Sequence, residues 1–360
     1  MRRYFLFMFE FVSMNSYRSW MLIRFLHLSL IVMLATLAVG GARTTYKNRS
    51  QNIAMTRLLL DESNPKRTTI GPLTFLAAWE MRSDNGDFGG MSALVALKDG
   101  RFLGVSDAGA LIGFGMSGDD RADRPFIAAL PGAFGKGVTY KDRDSEGIAY
   151  DPVSGKVWVS YEHSHAIRRF PTSMSRVDGM IRPATMRGWP RNSGAEALVR
   201  LSDGRFLAFA EGGPDDGVYP AIQFSGDPVE PGTTHFPFRY RPTEGYRITD
   251  GTQLPDGRLL LLERRIGFPQ GFTAKLLILD PAKIMRDAAV SGEVIATLEP
   301  PLLVDNMEGL AITQETGRTI VWLISDNNFN AIQRTLLMKF ALTLPNKKPE
   351  ALDAPGFDSL

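Results

Sequence analysis

The chain has 360 residues, enough for one large or two medium domains, and a net charge of +2 with scattered basic residues, which gives no basis for nucleic-acid binding. It contains no cysteine, which excludes disulfides, Cys-ligated zinc and thiol catalysis, and only four histidines, few for imidazole chemistry. The 35 glycines and 22 prolines suit a fold with many tight turns.

From Met21 the run MLIRFLHLSLIVMLATLAVGGA is apolar apart from Arg24 and His27. Between Phe25 and Gly40 it is short of the roughly 20 residues of a comfortable bilayer span. Basic residues before it and small ones after it resemble a secretory signal. Residues 1–42 are therefore expected to be an export signal or a retained membrane anchor, with the body in the periplasm or cell envelope. Residues 43–70 are polar and somewhat basic and read as a linker. Thr74–Met81 reads as a strand with no partner immediately before it.

A strand–turn–strand unit then recurs. Its clearest copy is DSEGIAYDPVSGKVWVSYEHS, Asp144–Ser164, and weaker copies start at Ser92, Glu196, Asp250 and Glu308. Measured from Glu146 in the clearest copy, the spacings are 54, 50, 54 and 58 residues. Each copy carries a hairpin turn between aliphatic runs, and weaker strands follow, such as His165–Phe170, Met180–Met186, Lys275–Leu279 and Glu293–Leu298. Asp280 and Pro281 are placed to open a short helix, AKIMRDAAV. The last copy has a third strand, Leu336–Leu342, but no fourth, and Thr74–Met81 can fill that place. Leu259–Leu262 is apolar on both faces, as a sheet packed between two other sheets must be. The expected architecture is all-β, a propeller over residues 71–344. Strand count gives five blades, a sixth irregular one is compatible with the spacing, an N-terminal strand closes the ring, and residues 345–360 form a polar tail.

Chemistry concentrates at the ends of the repeated strand pair. The first strands begin with Glu146, Glu196, Asp250 and Glu308, with Ser92 in the remaining copy. The second strands end with Asp107, Glu162, Glu211, Glu263 and Asp326. Antiparallel pairing brings both sets to one end of every blade, around one mouth of the central channel. Carboxylates that close must be neutralised by protons, cations or arginines. Oxygen-only ligands favour a hard cation, calcium before magnesium. Glu146, Glu196, Asp250 and Glu308 are the expected cation ligands, joined by Asp326 and Asn327. Glu146 and Glu308 are the catalytic candidates, with Arg265 to contact a substrate anion. The alternative is structural: strand-end carboxylates that only pin neighbouring blades. His163 and His165, on one face of a strand end, are a metal pair or packing residues.

The set GGMSALVALKDGRFLGVSDAG, DSEGIAYD, EALVRLSDGRFLAFAEG and NMEGLAI…LISDNNFNAIQRTLL resembles the bacterial phytase-like family with esterase-like activity, over about Gly71 to Leu344. The resemblance implies a β-propeller hydrolase of phosphate esters in the cell envelope. In propeller phytases clustered carboxylates hold calcium ions that bind substrate phosphate and activate water. An anionic small-molecule ester is then the expected substrate. A lactonase or carboxylic esterase of gluconolactonase type, and a non-catalytic envelope scaffold, are the alternatives.

Overall fold

The computed structural model describes residues 49–344 apart from 119, 133–138, 191–192 and 214–215. The export signal or anchor and the polar tail lie outside the described residues.

The chain forms five sheets arranged as blades. Their innermost strands are Met91–Ala96, Ser145–Asp151, Ala195–Arg200, Arg247–Gln253 and Met307–Glu315. Each packs on the next around a central channel, and the fifth returns to the first. The fold is a five-bladed β-propeller.

The apolar alternation is double because each face of a blade buries against a different neighbour. Within LLLL, Leu259 and Leu261 join a core with Ala197, Val199 and Phe209 of blade three. Leu260 and Leu262 join another with Leu310, Val321 and Leu323 of blade five. Close approach of inner strands requires glycine at two places. A Cβ on Gly147 would lie 2.6 Å from the Glu196 carbonyl oxygen, and one on Gly309 3.0 Å from the Leu94 nitrogen. This explains why Gly follows Glu in both SEGIAYD and MEGLAI.

Blade five is completed across the termini. Leu73–Arg82 pairs antiparallel with Thr335–Leu342 on one side and with Ala54–Leu58 on the other. Ala54–Leu58 lies within the stretch read as a linker. It is an edge strand with mostly exposed side chains, so its polar sequence carries no core pattern. The expected helix after Asp280 is a single turn, Pro281–Lys283, capped by Asp280 accepting from the Ala282 nitrogen at 3.0 Å. The chain then leaves to pair Ala289–Val290 in parallel with Arg239–Tyr240 on the outer edge of blade three. That tertiary ladder overrides a weak local helix preference. The expected strand Met180–Met186 is likewise short, Gly179–Ile181, followed by a 3-10 turn at Ala184–Gly188.

Candidate functional site at the carboxylate mouth

Every inner strand carries an irregularity in its first residues, where the pairing register slips. Ser92, Glu196 and Glu308 occupy the extra position in blades one, three and five, and Glu146 lies in the slip of blade two. Such a bulge re-aims a side chain out of the ladder. Blade four departs from the sequence alignment by one residue. There Ile248 pairs with Glu263 and Asp250 with Leu262, so the bulged residue is Thr249. The strand-end position held elsewhere by Asp107, Glu162, Glu211 and Asp326 belongs to Arg264, not Glu263.

That shift reassigns several residues. Glu263 is fully buried, accepts from the Tyr240 hydroxyl of blade three at 2.6 Å and from the Thr243 nitrogen of the connecting loop at 3.1 and 3.2 Å, and so ties blade four to blade three. Asp250 accepts from the Gly251 and Leu310 nitrogens, each at 2.7 Å, and so pins blade four to blade five. Burial pushes its carboxyl well above the usual range, although backbone N–H groups of Leu310, Gly251 and Leu94 favour the charge. Arg265 lies with its guanidinium carbon 4.8 Å from the Tyr246 ring centre. Asn327 accepts from the Gly90 nitrogen at 3.1 Å, joining blade five to blade one. Hydroxyls supply further blade-to-blade pins: Ser145 to the Ser106 carbonyl at 2.7 Å, Ser160 to Ala195 at 2.5 Å, Thr249 to Met307 at 3.1 Å.

The structure brings the remaining carboxylates together in two sectors. In one, Arg264 Nε lies 2.8 Å from Glu308 Oε1 and Nη2 lies 3.0 Å from Glu211 Oε1. Arg247 adds a contact to Glu211 Oε2 at 3.2 Å. Burial raises the Glu308 carboxyl to about 7, with Arg264 opposing and Glu211 reinforcing the shift. In the other sector the carboxyls of Glu146 and Glu196 lie close enough to act on each other's protonation. Both are pushed well above the usual range, by burial first and then by neighbouring carboxylates. Beside them, His163 Nδ1 lies 2.8 Å from Asp144 Oδ2 and 2.9 Å from Glu162 Oε2. These three residues bring potential ligand atoms within 4.8 Å of one another. Glu162 is raised to about 8, by burial and then by Asp144. Asp326 is raised by burial, Asp107 and Glu308. His165 instead packs edge-on against Trp189, ring centres 6.5 Å apart.

Sequence reading placed Arg264 near the mouth without assigning it a role, and missed Thr249 and Asp144. The signal for the first two is in the turns: Asp107 and Glu211 stand eight residues after Asp99 and Asp203, and eight after Asp256 is Arg264. At the opposite end of the channel a cavity of about 690 Å³ opens between the far ends of the inner strands, lined by Tyr150, Arg200, Gln253 and Gln314 among others. It holds none of the raised acids.

The mouth makes stability pH-dependent. An acid whose folded-state pKa is raised keeps a proton that the unfolded chain has already released, so stability falls as pH rises from about 4.5. The loss runs through about pH 7 for Glu308 and about pH 8 for Glu162. The shift at Glu308 alone is worth on the order of 3 kcal/mol. Urea midpoints in chelator are expected to be higher at pH 5.5 than at pH 8.5. Equal midpoints, or a higher one at pH 8.5, would contradict the crowded-carboxylate reading.

A family model described as phytase-like, esterase-like activity of phytase, matches residues 86–329. No curated protein matches the chain. Similar solved structures include the β-propeller domain of Cps50 (Swd1) from Myceliophteria thermophila, 9% identical with a TM-score of 0.37, covering 82% of this chain and 100% of that one. The allergen Mala s 1 of Malassezia sympodialis is 11% identical with a TM-score of 0.42, covering 69% and 92%. A luciferin-regenerating enzyme is 10% identical with a TM-score of 0.40, covering 80% and 98%. These likenesses concern the fold alone.

Proposed function

The chain belongs to the phytase-like family with esterase-like activity, and on that premise we propose that it hydrolyses anionic esters, phosphate esters first, at the carboxylate mouth with the help of a cation. The observation that carries this reading is the cluster of Asp144, Glu162 and His163, whose ligand atoms lie within 4.8 Å of one another, beside the raised carboxyls of Glu146 and Glu196. A buried acid cluster held neutral by protons is one that a hard cation can discharge instead.

The donor set fits calcium. It is rich in carboxylate oxygens, and Asn306 adds a buried Oδ1 with no hydrogen-bond partner. Glu146, Glu196, Asp144 and Glu162 would hold the ion, with Asp107 and Asp326 at the edge of the set. Glu308 contributes less than its place in the repeat implies, because Arg264 already neutralises it. Calcium supplies charge screening, a grip on ester oxygens and acidification of water. The protein's own groups do the rest. Arg264, fixed in orientation by Glu211 and Glu308, presents its remaining N–H donors to an anionic ester. No side-chain nucleophile is needed. The protein is also proposed to be exported, as its apolar N-terminal run argues.

The test is turnover of a generic phosphate monoester and a generic acyl ester, with calcium and with chelator. Phosphate-ester hydrolysis is expected with calcium, falling at least about 100-fold in chelator. Acyl-ester turnover alone would move the reading to a carboxylic esterase or lactonase, and no turnover of either to a scaffold.

A further inference from the structure

The inner strands run away from the carboxylate mouth and the second strands return to it, so each turn from second to third strand lies on the mouth face. In blade four that hairpin is overlong. The inner strand ends its pairing at Arg247 opposite Arg264, and the outer strand Glu293–Leu298 reaches only Ala274. Arg265–Gly267 and Gly271–Thr273 therefore pair with each other and with no third strand. At about 3.4 Å per residue they project roughly 10 Å beyond the blade. The tip is apolar: Ile266 is 65% and Phe268 100% exposed. The corresponding loop of the adjacent blade five presents Ile332, 67% exposed. A cationic collar surrounds the base of the hairpin, where Arg265 and Lys275 lie 4.8 and 4.4 Å from the Tyr246 ring centre and Arg247 is half exposed.

The chain enters on the same face. Ala54 pairs with Arg82, beside the Thr335 end of blade five, so the residues before Ala54 lie on the mouth side. The apolar run from Met21 ends at Ala42, and the six residues 43–48 that separate it from Arg49 reach at most about 20 Å. Among the described residues no helix is long and apolar enough to cross a membrane. An apolar tip over cations, on the face from which an apolar segment departs, has the make-up of a surface that sits in the headgroup layer of an anionic bilayer.

We infer that the carboxylate-mouth face docks on a lipid bilayer through Phe268, Ile266 and Ile332. This needs no hydrolysis and stands apart from the proposed activity. The absence of cysteine makes it directly testable. Phe268→Cys, Ile332→Cys and, on the opposite face, Val153→Cys each give the full-length chain a single site for an environment-sensitive fluorophore. On vesicles containing anionic lipid, the labels at 268 and 332 are expected to shift to the blue and gain at least twofold in emission. A lipid-borne quencher should reach both, and the label at 153 should not change. The inference is overturned if vesicle-bound protein keeps all three labels in water, since the N-terminal run alone would then bind. It is equally overturned by failure to bind vesicles, or by concentration-dependent burial of the 268 label without lipid, which would assign the face to a second copy.

Discussion

Replacing Glu146 and Glu196 together by glutamine is expected to abolish calcium-dependent hydrolysis, by at least about 100-fold, in a protein that remains folded. The pair is wedged between blades two and three, and burial pushes both carboxyls well above their ordinary range, reinforced at Glu146 by Glu196 and at Glu196 by Glu211, Glu308 and Glu162. Glutamine keeps the shape and the neutral state, so the metal-free fold loses little and is expected to gain stability at pH 8. What disappears is the ability to give up protons for a cation. The parent's melting temperature should rise with calcium at pH 8 and hardly move at pH 5.5, where protons compete. The double variant should show no calcium response at either pH. Unfolding is not the expected result, because blade contacts come from other groups: Asp250, Ser145, Ser160 and Thr249. A variant that still hydrolyses esters like the parent would remove the mouth as the active site.

The fold was legible because a propeller repeats its constraint. Leu259–Leu262 had to be apolar on both faces, since its alternate residues enter two different cores. The strand Leu73–Arg82 was legible as the partner of Leu336–Leu342 because blade five otherwise lacked a strand. Ala54–Leu58 was not legible, as an edge strand with one solvated face needs only backbone partners. Nor was Ala289–Val290, two residues whose structure is set by a distant edge rather than by their own sequence.

The site was legible as a ring of acids and misread in blade four. TDGTQLPDGRLLLLERR offers a carboxylate one position out of register at both ends, Asp250 for Thr249 and Glu263 for Arg264. Matching by residue type chose the acids, and strand pairing chose their neighbours. Because strand side chains alternate, that single step exchanges a residue facing the mouth for one facing a core or an adjacent blade. Asp250 and Glu263 accordingly became pins, and the position beside Arg265 became the cation of the site. Asp144 escaped notice because it precedes the strand, and its position beside Glu162 and His163 depends on the turn that follows the second strand.

Arg264→Gln tests that reassignment. Removing the guanidinium leaves Glu211 and Glu308 facing each other with their shared cation gone. Breaking a largely buried pair on one side costs about 3–5 kcal/mol, and partial exposure of Arg264 argues for the lower end of that range. The cost has a definite pH profile. Arg264 holds the Glu308 carboxyl down, to about 7 against the upward push of burial. Without it the folded-state pKa rises further, the stability lost with rising pH grows, and the loss extends to higher pH. Urea midpoints of variant and parent should lie close at pH 5.5, where Glu308 is protonated in both, and separate widely at pH 8. Calcium should then stabilise the variant more than the parent, because a second sector of bare carboxylates has been opened to it. Arg264→Lys should restore only part of the difference, since one ammonium cannot reproduce Nε and Nη2 contacts to two separate carboxylates. If the variant is equally destabilised at both pH values, Arg264 acts through packing, and Glu308 returns to the set of cation ligands.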